Sequence, residues 1–92
     1  MNNIEMHAGV CDELSKIYEA KNKDYGDSFT KSFDKFGMVM PLIRLEDKLN
    51  RLESLVINGE ARVRDESMID TLIDLANYAI MTIMVLDKEK KV

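Results

Sequence analysis

The chain has 92 residues, 46% of them hydrophobic, and carries 17 Asp and Glu against 13 Lys and Arg for a net charge of −4. That balance excludes a nucleic-acid backbone as the main partner, which would demand clustered, uncompensated positive charge, and the length suits one small domain, residues 1–92, with a core that is marginal alone. Cys11 is the single cysteine and excludes an intrachain disulfide, while Met1 to Val10 has neither a basic start nor an apolar run, so a cytoplasmic protein with no secretory signal is expected.

A first helix is expected from Ile4 to Lys21, capped by Asn2 or Asn3, with Ile4, Cys11, Leu14, Ile17 and Tyr18 facing inward. On that stripe Cys11 reads as a small core residue rather than a reactive thiol. The polar stretch from Lys21 to Ser28 holds one glycine and breaks the pattern. Phe29, Phe33 and Phe36 then recur at helical spacing as core anchors of a short helix ending at Gly37.

The second long helix starts between Met38 and Pro41, where proline is tolerated in a first turn, and ends at Asn58-Gly59, a pair suited to a left-handed exit. Leu42, Leu45, Leu49, Leu52 and Val56 form its expected buried face. After a charged connection, Asp65 caps the last helix, which runs to Lys88 with Lys88, Lys90 and Lys91 at its negative end. From Ala79 to Leu86 that helix is apolar nearly all round, which reads either as an unusually central core helix or, the reading favoured for a chain this short, as an interface with a second copy. The fold class is all-α: a small bundle of three long helices plus a short one, completed as a homo-oligomer, dimer or tetramer. Leu75 to Leu86, the longest stretch without a charge, is too short to span a bilayer, so no membrane partner is expected.

Two stripes carry the chemistry. On the last helix Glu66, Asp70, Asp74 and Asn77 share one arc, opposite Ile69, Leu72, Ile73, Leu75, Ala76, Ala79 and Ile80. Like charges stacked at intervals of four destabilise a helix, so a divalent cation or a basic neighbour must compensate. Arg44, Lys48 and Arg51 line a flank of the preceding helix, with Asp47 beside them, and supply such a neighbour. Two readings fit: an interhelical salt-bridge layer, or a carboxylate-lined Mg²⁺ site with cations for the phosphate oxygens that the metal would bridge. No Ser/His/Asp set, Cys/His cluster, phosphate-binding loop or dinucleotide fingerprint is present.

Lys21 to Phe29, Arg44 to Leu52 and Glu66 to Ala79 together resemble the first nucleotide-modification-associated domain of phages and bacteria. That family in turn looks like a relative of the all-α MazG and dimeric dUTPase pyrophosphatases. The likeness implies a bacterial or phage-infected host cytosol, a small-molecule nucleotide as ligand, Mg²⁺ as cofactor and a nucleoside-triphosphate pyrophosphohydrolase as the activity. Asp47, Asp70 and Asp74 would then hold the metal, and Glu66 would act as an additional ligand or as the base that positions water. Lys21, Lys48 and Arg51 would meet the phosphates, Tyr25 or Tyr78 would stack on the base, and Asn77 would be a further substrate-binding residue. MazG-type enzymes pair two glutamates three residues apart on one helix, where this chain has Glu46, Asp47 and Glu53. That incomplete pattern favours an alternative, a noncatalytic oligomer that binds or sequesters a nucleotide.

Overall fold

In the computed structural model, which describes residues 1–58 and 66–90 and all their side chains except those of Tyr25, Glu66, Glu89 and Lys90, the first helix is set by its cap. The side-chain oxygen of Asn2 accepts the Glu5 N–H at 2.9 Å and opens α1, Asn3–Tyr25. The helix passes its expected end at Lys21 because nothing in the polar stretch before Gly26 breaks it. It stops at Gly26, whose φ of 62° and ψ of −141° suit only glycine and whose N–H bonds to the Asn22 carbonyl at 2.8 Å. α2, Ser28–Phe36, ends in the same way at Gly37, with φ 71° and ψ −158°.

α3 spans Val39–Ile57 and carries Pro41 in its first turn, where the missing N–H removes no helical bond. It leaves through Asn58 at φ −67°, a helical rather than left-handed conformation. The glycine of the expected exit, Gly59, and the expected cap Asp65 lie outside the described residues. α4 covers Glu66–Lys90. Among the described residues these four helices are the regular structure, and no strand accompanies them.

α3 and α4 form an antiparallel hairpin. Arg51 meets Thr71, Lys48 meets Asp74, and Met40 clusters with Val85, a descending register down the pair. Phe33 and Phe29 of α2 close that end of the hairpin together with Leu86. Burying a phenylalanine such as Phe33 contributes about 2–3 kcal/mol. α1 lies against α4 through Leu14, whose carbonyl accepts from Asn77 Nδ2 at 3.2 Å. Thr71 and Thr82, both buried, return their hydroxyl protons to the Ser67 and Tyr78 carbonyls at 2.6 Å, which leaves neither hydroxyl unsatisfied.

Several expected core positions are exposed instead. Ile4 is 82% exposed and Cys11 is also exposed, because the N-terminal half of α1 reaches past the hairpin and finds no partner helix. In α3 the inward row is Pro41, which is buried, with Leu45, Lys48, Leu52 and Leu55 half-buried, while Leu42, Leu49 and Val56 stand exposed on its flank. Apolar residues cover more than half of that helix, and α4 selects one of the two candidate rows. α4 likewise turns Met68, Thr71, Thr82 and Val85 inward and leaves Ile69, Leu72 and Ile80 outside, one flank away from the core. Phe36 is exposed beneath the Lys35 ammonium, 5.3 Å from its ring centre, rather than anchored in the core. By length and composition α4 is apolar enough over Ser67–Lys88 to cross a membrane, a span that runs past Asp70 and Asp74 and so exceeds the uncharged stretch.

Candidate functional site

α1, α2 and the α3–α4 hairpin enclose a cleft of about 520 Å³, within the range of small-molecule sites. Lys21 enters from the last turns of α1, ahead of the glycine that stops the helix. Phe29 enters from the first turn of α2, and Arg44 from the flank of α3. Asp74, Asn77 and Tyr78 come from successive turns of α4. The Phe29 and Tyr78 rings stack with centroids 6.2 Å apart and planes inclined by 22°. Asn77 is oriented by its bond to the Leu14 carbonyl, which fixes α1 against the cleft wall.

Asp74 is the electrostatic centre. Lys21 Nζ lies 3.0 Å from its Oδ1 and Lys48 Nζ 3.0 Å from its Oδ2, so each carboxylate oxygen has its own ammonium partner. Burial alone would raise the Asp74 pKa. The hydrogen bonds and charges of Lys48 and Lys21 outweigh it and hold the carboxyl below the usual aspartate value. Two cations on one anion leave the triad with a net positive charge. Arg44 adds to it, since no carboxylate pairs with Arg44 among the described residues.

The basic flank expected on α3 therefore meets the acidic stripe of α4 at Lys48 and Asp74, and α1 adds Lys21. Of the other expected ligand-binding residues, Asn77 and Tyr78 line the cleft. Arg51 lies beyond it, its Nε donating to the Thr71 hydroxyl at 3.1 Å. The side chains of Tyr25 and Glu66 fall outside those described. The expected metal ligands are not gathered: Asp47 and Asp70 are exposed and stand apart from the cleft wall. Among the described residues no three His, Cys, Asp or Glu side chains form a group able to hold a metal ion. Both oxygens of Asp74 already face ammonium groups, which a divalent cation would have to displace. The described donors of one chain do not fit Mg²⁺.

Sequence reading took Phe29 for a core anchor, and it placed Arg44 on the basic flank without naming it among the ligand-binding residues. Phe29 was indistinguishable from Phe33 on a helical apolar row. Arg44 carried a usable signal, because it sits four residues before Lys48 and seven before Arg51 on the same flank.

A family model described as nucleotide modification associated domain 1 matches residues 21–86, well over half of the chain. The match begins at Lys21 and takes in every cleft residue discussed above. No curated protein and no solved structure matches the chain.

Proposed function

The chain belongs to the nucleotide modification associated domain 1 family, and from that premise we propose that it binds a nucleotide in the cleft between α1, α2 and the hairpin. The carrying observation is that one cavity joins an aromatic pair to Lys21 and Arg44, with Lys48 held at the Asp74 wall by its ion pair. A base can lie against the Phe29 and Tyr78 rings, where a stacked base gains about 1–3 kcal/mol. Phosphate oxygens would then be met by Lys21, Lys48 and Arg44. In this reading the phosphate displaces Asp74 from its lysines, because both compete for the same ammonium protons. The ion pair is a built-in occupant of the anion subsite, and the ligand takes over its hydrogen bonds.

Binding without cleavage is the form of this reading that the geometry supports best. A Mg²⁺-dependent pyrophosphohydrolase asks for a cluster of carboxylates, which the described residues of one chain do not gather. The test is a thermal-shift and calorimetric panel of nucleosides, nucleoside monophosphates and nucleoside triphosphates, with and without Mg²⁺. A ligand specific for the folded state raises the midpoint. Triphosphates should bind more tightly than nucleosides, and the bound nucleotide should be recovered unchanged after denaturation. Absence of any shift across the panel would reject the binding reading. Release of pyrophosphate that is lost in Asp74→Ala would replace sequestration with hydrolysis.

A further inference from the structure

The hairpin has two flanks, and only one of them faces the cleft. At about 100° per residue, the Arg44 and Arg51 row of α3 lies on one side of the inward Leu45–Lys48–Leu52 row, and the Leu42, Leu49 and Val56 row lies on the other. α4 divides in the same sense: Asp74, Asn77 and Met81 line the cleft, while Ile69, Leu72 and Ile83 stand on the far side. Because the helices are antiparallel, their far flanks turn to the same face of the molecule. That back face therefore presents Leu42, Leu49 and Val56 beside Ile69, Leu72 and Ile83, all exposed. α1 and α2 both stand on the cleft side, so no element of this chain among the described residues covers it.

The overall surface agrees. The chain exposes 7296 Å², whereas a folded monomer of 10.6 kDa is expected to expose about 5,500 Å². Its radius of gyration is 15.0 Å, against about 12 Å for a compact domain of this length. The surplus area exceeds the roughly 800 Å² per partner that a standard stable interface buries.

We propose that the back face of the α3–α4 hairpin is the interface with a second copy of this chain, packed back to back as four helices with the two clefts facing outward. Rows repeating every seven residues, such as Leu42, Leu49 and Val56, are the pattern that packs helix pairs side by side. A bilayer is the poorer occupant, although α4 is long and apolar enough. Exposed Glu46 and Glu53 border the α3 row directly, so lipid contact would bury carboxylates that a protein interface leaves at its wet rim. The pairing does not depend on nucleotide binding.

Sedimentation equilibrium at micromolar concentration should give twice the 10.6 kDa chain mass. Leu49→Glu/Ile83→Glu should shift the mass to that of one chain while the helical circular dichroism stays. Ile4→Glu, an equally apolar and exposed site away from this face, should remain paired. A monomeric wild type, or a double variant that stays paired, overturns the proposal. If the double variant does not fold, thiol labelling decides in a Cys11→Ser background. A cysteine at position 72 (Leu72→Cys) should react more slowly than one at position 4 (Ile4→Cys), and faster on dilution. Equal rates, or co-sedimentation of the wild type with phosphatidylcholine vesicles, would overturn it as well.

Discussion

Arg51 on α3 donates its Nε hydrogen to the hydroxyl of Thr71 on α4 across 3.1 Å, and that hydroxyl in turn donates to the Ser67 carbonyl. Thr71 is 1% exposed, so this relay fixes the register of the hairpin one turn from Asp74. The guanidinium that looks from sequence like a phosphate contact works here as a cross-helix brace.

Thr71→Val keeps the shape of the side chain and removes the acceptor. Loss of a hydrogen bond to a charged donor, partly offset by water at the Arg51 end, should destabilise the chain by about 1 kcal/mol. In a domain of this size the thermal midpoint then falls by about 4–8 °C. A circular dichroism melt of the two proteins checks this.

Two glycine substitutions should act in opposite directions. Gly37 has φ 71° and ψ −158° with open space where a Cβ would stand, so Gly37→Ala meets pure backbone strain and should cost about 1–3 kcal/mol. Gly9 lies inside α1 with equally open space, and Gly9→Ala should stabilise by about 0.5–1 kcal/mol through helix propensity. Urea midpoints at matched m-values measure both.

Asp74 should make the fold acid-sensitive. Its carboxyl is held below its unfolded value by Lys48 and Lys21, so the unfolded chain binds the proton more readily and stability rises with pH. The contribution is complete above the ordinary aspartate range and disappears as pH falls through the lowered folded value. Wild type should therefore exceed Asp74→Asn in stability at neutral pH, and the difference should shrink in acid. Paired denaturation curves at a series of pH values test the sign.

For ligand binding, Phe29→Ala should weaken nucleotide affinity about tenfold through loss of the stacking face. Lys21→Ala should weaken triphosphate binding more than nucleoside binding. Calorimetric titration of a nucleoside and its triphosphate against each variant separates the two effects.

Helix existence was legible because its signals are local: Asn2 caps, Gly26 and Gly37 stop, and Pro41 starts. The buried rows were not, because α3 and α4 are apolar over more than one face, and only their mutual packing decides that Leu45 and Lys48 turn inward while Leu42 and Leu49 do not. The Lys48–Asp74 pairing itself followed from opposed stripes on successive helices. Lys21 joined it from 53 positions away, a distance that periodicity cannot bridge. Asp47 and Asp70 share the right residue type, but both are exposed and neither lines the cleft.

Among the described residues the Leu14–Asn77 and Lys21–Asp74 bonds tie α1 to α4, and the helix runs free of the hairpin toward Asn3. A wall pinned at two points along one side behaves as a door. Gly26 and Asp27 join that wall to α2, so with both ties broken α1 should loosen about this junction while the α2–hairpin core stays packed. Amide exchange should register that motion as early loss of protection in α1 while the hairpin keeps its own.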